Sequence, residues 1–407
     1  MNIKLKHRLL LCYILLSGNI MGQVTIGLDE KPIQGALLQL KNQLNIQGSN
    51  ANSTKGLGLP VVELTNIKPI TEEELAKSIG NTTGSYDLND HTGLLVYNIT
   101  QSVPKQCALI PEGLYVWNGK EWRRIAFDLP EIKRYTDYRL QVLGTQIYHY
   151  RSFGDAGEWM VENLRYLPID GSITLSDKSI EDDFLYNAKV YSYPAGLYGY
   201  TTSSATPHPS WNPAQGLLYS YSAFTLGAYD NVIGDMGNNA DEPKLEGICP
   251  QGWHIPSDYE WSQLEEEMCK HPEKYSSGTI PSPWRDRLPD SSTDGESDDY
   301  EQVSNRGTHG EIMKSICPIP NLGIYPADTM AKGYPMFYGG FGAQLVGNGR
   351  GEETHLYGES AVFWTSSYEK AYYVWIRAMF SFDLRVQRQT VLMFEMLSIR
   401  CNKYAVN

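Results

Sequence analysis

The sequence predicts an α+β protein with a small β-rich N-terminal module and a larger C-terminal domain that carries one or two helices. Three observations indicate this fold class. The 407 residues include 37 Gly, 22 Pro and 28 Tyr, and only 20% are charged, which is typical of exported proteins rich in strands and loops. A capped, amphipathic helical pattern begins at Ser257. Alternating strand-like segments fill residues 361–401.

The charge balance disfavours anionic partners. The chain has 34 Lys and Arg against 47 Asp and Glu, a formal net charge of −13. Because an acidic surface repels phosphate groups, we expect no binding to nucleic acid or to the surface of anionic membranes.

Residues 1–22 are predicted to be an export signal. Three basic residues precede the apolar run Leu9–Leu16, and small residues lead to a cleavage site after Gly22. No later stretch reaches the roughly 18 apolar residues of a membrane helix. We therefore expect a mature protein without a membrane span, located in the periplasm, on the cell surface or outside the cell.

Residues 23–127 are predicted to form the β-rich module. Thr71 and Glu74 make a capping box that begins a short helix over 72–79. Strand-like segments surround this helix at 23–41, 56–66 and 92–98, and a hairpin is predicted at 113–125 around Asn118-Gly119. Charge and a proline indicate a linker at 128–140, and the second domain spans 141–407.

The module contains four recognisable segments: Ile26-Gly27, Lys55–Pro60, Gly93–Asn98 and Gly113–Trp122. In this order they resemble an N-terminal module of exported Bacteroidetes proteins. The resemblance implies a spacer or assembly role with no known chemistry.

The second domain contains a helix with a clear start and a clear buried face. Ser257 and Glu260 form a second capping box. Trp261, Leu264 and Met268 recur at i, i+3 and i+7 and predict one buried stripe, with the acidic residues 265–267 facing water.

The second domain contains five motifs, which in chain order are Trp159–Arg165, Gly216–Ala223, Cys249–Trp261, Phe363–Ser367 and Leu397–Cys401. Together they resemble the motifs of the FISUMP family, the Fibrobacter succinogenes major paralogous domain. The resemblance implies a C-type-lectin-like α+β fold with a small twisted sheet, one or two helices and long loops. It also implies a secreted or surface protein whose ligand is undefined.

The cysteines predict disulfides rather than a zinc site. Five remain after the signal, at long spacings and without a CxxC pair. The four in the second domain allow three pairings. We predict a bond between Cys249, just before the helix, and Cys401, at the end of the last strand; Cys269 with Cys317 is the second choice.

The loops offer two candidate ligand sites. Tyr198, Tyr200 and Trp211 could stack on sugars, or they could pack within the domain. Oxygen donors with calcium-loop spacing are Asp290, Ser292, Asp294, Glu296, Asp298 and Glu301, with Gly295 at the turn position. The alternative is an acidic surface insertion. Asp241-Glu-Pro243 only partly matches the Glu-Pro-Asn string of calcium-dependent lectins, and no other cofactor is expected.

The residues favour a non-catalytic function. His254 is expected to be a buried, hydrogen-bonded residue at the start of the helix, and no phosphate-binding loop or metalloprotease motif is present. We predict an exported binding or adhesion protein whose ligand is a glycan or a host or bacterial surface protein. The alternatives are a structural or tip subunit of a surface appendage and a catalyst resembling formylglycine-generating enzymes, which use a reactive cysteine pair.

Overall fold

The computed structural model describes most of the chain, and its residues form two compact units. The described residues are 24–27, 34–44, 52–99, 110, 112–125, 131–176, 186–194, 207, 211–228, 237, 239–276, 307–315, 333, 336, 339–351, 353–370 and 372–405. The smaller unit comprises residues up to 61 together with 95–97, and the larger unit comprises 62–94 and residues from 98 onward. The predicted signal at 1–22 lies outside the described residues.

The smaller unit contains a pair of parallel strands, β1 (Val24–Ile26) and β2 (Leu38–Leu40). Many of its apolar side chains are exposed to solvent. They include Ile26, Leu37, Leu38, Leu44 and Leu57, each more than half exposed. Two further short strands are β3 (Val61–Val62) and β4 (Leu95–Asn98).

The larger unit begins with helix α1 (Glu72–Ser78), where Thr71 Oγ1 accepts the backbone N–H of Glu74 at 3.2 Å. Strands β5 (Gly113–Trp117) and β6 (Trp122–Arg124) then form an antiparallel hairpin. These elements confirm the predicted helix and hairpin. The buried Trp122 links the two because its indole N–H donates to Ser78 Oγ at 2.9 Å.

A five-stranded antiparallel sheet joins the two ends of the C-terminal domain. Its order is β13 (Trp253–His254), β19 (Asn402–Lys403), β9 (Glu158–Met160), β8 (Gln146–Ser152) and β7 (Lys133–Asp137). Strand β7 lies inside the predicted linker 128–140, so residues 133–137 of that linker are sheet instead. The charge and proline of this segment concealed its regular pairing with β8.

The predicted C-terminal meander is present as β16 (Ser360–Lys370), β17 (Tyr373–Phe380) and β18 (Val386–Leu392), all antiparallel. Shorter strands are β10 (Thr174–Leu175), β11 (Val190–Ser192), β12 (Leu218–Tyr219), β14 (Asn348–Arg350) and β15 (Glu353–His355). The described residues thus have a mostly-β α+β fold, which agrees with the predicted fold class.

Four helices of the C-terminal domain are α2 (Tyr221–Thr225), α3 (Asp258–Lys270), α4 (Pro272–Tyr275) and α5 (Gly310–Met313), and 3-10 turns occur at Gly154–Ala156 and Pro213–Gln215. In α3 the capping box of Ser257 and Glu260 forms as predicted, and Trp261, Leu264 and Met268 are buried. None of the helices in the described ranges has the length and apolar content that crossing a bilayer requires.

The acidic face predicted on α3 is partly wrong. Glu265 is fully buried and Glu267 is 9% exposed. Both carboxylates have partners that helical spacing cannot reveal: Arg377 donates to Glu265, and the Tyr275 hydroxyl donates to Glu267 at 2.6 Å.

The domain is closed by the predicted disulfide between Cys249 and Cys401, which spans 152 residues with a Cα–Cα distance of 6.0 Å. Cys401 directly precedes β19, in the interior of the five-stranded sheet. The bond therefore fixes the C-terminal strand beside the segment that leads into α3.

Candidate functional site

A cavity of about 170 Å³ lies at the N-terminal end of α3. Its wall combines this helix, the segment 240–244 that precedes β13, and strand β16. Most of the side chains that line it are polar: Glu242, Lys244, Ser257, Tyr259, Glu260, Gln263 and Ser366, with Ala240 and Ile255 completing the wall.

Glu260 is held as an ionised carboxylate on one side of the cavity. The backbone N–H of Ser257 donates to it at 3.0 Å, His254 Nε2 lies 2.8 Å from Oε1, and Lys244 Nζ lies 2.9 Å away. Burial by itself raises the pKa of Glu260, but the interaction with His254 and the hydrogen bonds from Ser257 and Lys244 together outweigh burial and lower it to about 2.

His254 is fully buried, and its carboxylate partner is the capping-box residue six positions later. The structure thus agrees with the expected role of this histidine at the start of the helix. The capping box predicted from the sequence already includes this carboxylate. When the Glu260 side chain turns back toward Ser257, its carboxylate also comes beside His254.

Glu242 is the second carboxylate of the cavity, and its surroundings differ. It is only 7% exposed, Ser366 Oγ donates to it at 2.9 Å, and Ser367 Oγ donates to its other oxygen. Burial raises the pKa of Glu242 to about 7 although the two serine hydroxyls act in the opposite direction. No Lys, Arg or His side chain of the described residues forms an ion pair with it.

Ser367 connects Glu242 to the start of α3. Its hydroxyl accepts the backbone N–H of Asp258 at 2.8 Å and donates to Glu242. One unpaired N–H of the first helical turn is thereby satisfied. The result is a fixed chain of hydrogen bonds from the helix terminus to the carboxylate in the cavity.

Behind the cavity, buried ion pairs hold α3 against β17 and β18. Asp258 is fully buried and accepts Arg377 at 2.7 Å and Arg388 at 2.8 Å. Burial raises the pKa of Asp258, but the charges of Arg377 and Arg388 hold it well below its usual range. Arg377 also pairs with Glu265, so the helix start that shapes the cavity is rigidly positioned.

A second polar cluster lies near the C-terminal end of α3. Cys269 Sγ is 3.2 Å from His309 Nδ1, and His309 Nε2 is 3.0 Å from Glu265 Oε2. All three side chains are buried. This order of thiol, imidazole and carboxylate is the arrangement that activates a cysteine nucleophile.

The same cluster corrects the second-choice disulfide. Cys269 is present as a buried thiol beside His309 rather than as half of a bridge, and Cys317 lies outside the described residues. Cys269 and Glu265 are four positions apart on α3 and share a face, which the sequence shows. His309 is 40 residues away, and no local pattern indicates its approach.

Among the predicted ligand-stacking and calcium-binding residues, the structure describes Trp211, which does not line the cavity. Trp211 is partly buried, its indole N–H donates to Gly216 O at 2.9 Å, and its ring meets Tyr193 edge-on at 5.3 Å. Tyr198 and Tyr200 lie outside the described residues. So do all six predicted calcium donors: Asp290, Ser292, Asp294, Glu296, Asp298 and Glu301. Within the described ranges, no group of three or more His, Cys, Asp or Glu side chains is arranged to hold a metal ion.

Comparison with known proteins gives two matches along the chain. Residues 155–403 match the Fibrobacter succinogenes major domain, and residues 25–137 match a phage tail like trimerisation region. Neither the curated proteins nor the solved structures contain a match. Every residue that lines the cavity lies within the first match.

Proposed function

We propose that this chain, which belongs to the Fibrobacter succinogenes major domain family, is an exported, non-catalytic binding protein of the bacterial surface. In this proposal the C-terminal domain has a C-type-lectin-like fold and holds the ligand, and the N-terminal region assembles the protein. The ligand is a glycan or a surface protein of a host or a bacterium.

The observation that carries the binding function is the convergence of two sequence motifs on one cavity. Ser257 and Glu260 come from the segment around the start of α3, and Ser366 comes from β16, more than 100 residues later. The carboxylates of Glu242 and Glu260 are held in position by hydrogen bonds from the buried side chains of Ser366, Ser367 and His254. In ligand sites, polar groups held in fixed positions orient the ligand and provide specificity.

The N-terminal region supports assembly as a trimer. It matches a trimerisation region over residues 25–137. Six large apolar side chains described in its smaller unit are more than half exposed, among them Leu37 at 74% and Leu38 at 56%. Exposed apolar groups of this kind are typical of surfaces that become covered in an oligomer.

A labelled preparation of the full chain tests binding on an array of glycans and matrix proteins. We expect at least one signal, and we expect Ala240→Phe to abolish it because the new ring fills the cavity from an exposed position. Gln251→Phe, at an exposed position that does not line the cavity, is the matched control and retains the signal. The proposal is contradicted if the parent chain gives no signal on the array, or if the Ala240→Phe variant still gives the signal of the parent.

Light scattering of the same preparation tests assembly. The proposal predicts three times the mass of one chain, whereas a monomer removes the assembly role. Open-ended polymers instead favour the alternative of an appendage subunit that pairs with other chains.

A thiol-dependent catalyst is a second candidate, favoured by the contact between Cys269 and His309. If Cys269 is catalytic, iodoacetamide modifies it in the native chain faster than it modifies a free model thiol. In a binding protein, peptide mapping finds this thiol modified only after unfolding, because burial shields it.

A further inference from the structure

We infer that the cavity recognises an unsubstituted amino sugar through its primary ammonium group, which pairs with Glu242. This inference rests on the proposed binding function and names the class of ligand.

The charge balance around the cavity favours a cationic ligand. Glu260 is paired with Lys244 at 2.9 Å, and Asp258 is paired with two arginines behind the wall. Glu242 is 7% exposed and receives only hydroxyl donors from the described residues. Because a buried carboxylate is normally paired with a cation, a ligand cation completes this site.

The number of acceptor positions on Glu242 also favours a ligand that donates hydrogen bonds. An ionised carboxylate has about four lone-pair positions, and the two serine hydroxyls occupy one on each oxygen. Acceptor positions therefore remain for a donor in the cavity. An ammonium group has three donors and no acceptor, so it matches a wall of carboxylate and hydroxyl oxygens.

The polarity of the remaining cavity wall distinguishes the two sources of a primary amine, a lysine side chain and an amino sugar. A lysine side chain would bring four methylene groups into the cavity, where only Ala240 and Ile255 are aliphatic. An amino sugar brings hydroxyl groups, which can bond to Lys244 and Gln263, and a ring face that suits Tyr259. The lining therefore favours the sugar.

Isothermal titration of the full chain at pH 7 tests this inference with glucosamine, glucose, N-acetylglucosamine and Nα-acetyl-lysine methylamide. We expect glucosamine to bind up to about tenfold more tightly than glucose, since a hydrogen bond between charged groups exceeds a neutral one by about 1–1.4 kcal/mol. Glu242→Gln, which keeps the shape of the side chain, is expected to remove this preference. Glu266→Gln, at a partly exposed position of α3 that does not line the cavity, is the control and keeps it.

A pH series on the unaltered chain gives a second readout that needs no variant. Ser366, Ser367 and Tyr368 of β16, Asp258 and Glu260 of α3, and Lys244 are the groups around the Glu242 carboxylate. Glucosamine stays cationic between pH 7 and 5.5, whereas burial raises the pKa of Glu242 to about 7. Glucosamine affinity is therefore expected to fall about tenfold at pH 5.5, while any glucose affinity stays constant.

Three outcomes overturn the inference. Equal binding of glucosamine and glucose, with loss of both in Ala240→Phe, refutes the ammonium contact but leaves the binding function intact. Tighter binding of the lysine derivative refutes the sugar. If none of the four compounds binds while the array gives a signal that depends on the cavity, the ligand belongs to another class.

Discussion

Replacing Glu242 by glutamine should alter the pH dependence of stability by a predictable amount. Burial raises the pKa of Glu242 from 4.5 to about 7. Between these values the folded chain keeps a proton that the unfolded chain has already released. The free energy of unfolding of the parent chain therefore falls as the pH rises through this window.

The magnitude follows from the shift of about 2.5 pH units. At about 1.4 kcal/mol for each unit, the parent chain loses about 3 kcal/mol between pH 4 and pH 8 through this one group. Glutamine cannot ionise, so the variant does not undergo that loss. Groups with lowered pKa values, such as Glu260 and Asp258, are present in both proteins. Their contributions to the pH dependence of stability therefore cancel when the two proteins are compared.

Urea unfolding followed by tryptophan fluorescence at pH 4, 5.5, 7 and 8 measures this difference. We expect the stability of Glu242→Gln relative to the parent to increase by about 3 kcal/mol from pH 4 to pH 8. Glu266→Gln, whose side chain is partly exposed and pairs with Lys270, should give a curve parallel to that of the parent. If Glu242→Gln also runs parallel, the carboxylate is not desolvated as the structure indicates and the reasoning fails.

Three further predictions concern the framework. Replacing Cys249 and Cys401 together by alanine should lower the free energy of unfolding by about 5 kcal/mol in the chain-entropy model, since the closed loop spans 152 residues. Urea denaturation measures this change, and an unchanged unfolding midpoint would exclude the bond. Arg377→Met should destabilise the domain by about 3–5 kcal/mol because it leaves the buried Asp258 short of a partner; thermal melting checks this, and a neutral effect would show that the pair is dispensable. Leu38→Asp should reduce the mass in light scattering toward one chain while the circular dichroism spectrum is retained, and an intact trimer would exclude Leu38 from the interface.

Local sequence patterns predicted the elements whose causes are local. Helix α3 begins directly after Ser257 because the Ser257 hydroxyl and the Glu260 carboxylate each accept a backbone N–H of the capping box, and the two residues are only three positions apart. The hairpin at 113–125 forms around Asn118-Gly119, where Gly119 adopts a positive φ of 88°. These features need no knowledge of distant residues.

Pairings between distant residues escaped the sequence patterns. Glu265 follows the spacing of a solvent-facing residue, but Arg377 of β17 lies 112 positions away and draws it into the core. The segment 133–137 resembles a charged linker until β8 provides its pairing partner. Burial of a charged side chain depends on such a partner, which helical or strand periodicity does not encode.

The cavity was missed for the same reason. Within the string Asp241-Glu-Pro243, only Glu242 carries the site. Its carboxylate oxygens accept hydrogen bonds from Ser366 and Ser367, which lie more than 120 positions later. Both serines lie in a motif that the sequence did reveal. Only the fold brings that motif to the start of α3, where the two segments enclose a site.

A crystal structure of the full chain with the sugar that gives the strongest array signal tests the central claim most directly. The account predicts the ligand in the cavity at the start of α3, with a donor of the sugar within hydrogen-bond distance of Glu242 and Ser366. A ligand bound to other loops, for instance against Trp211, with the cavity filled only by solvent, would contradict it.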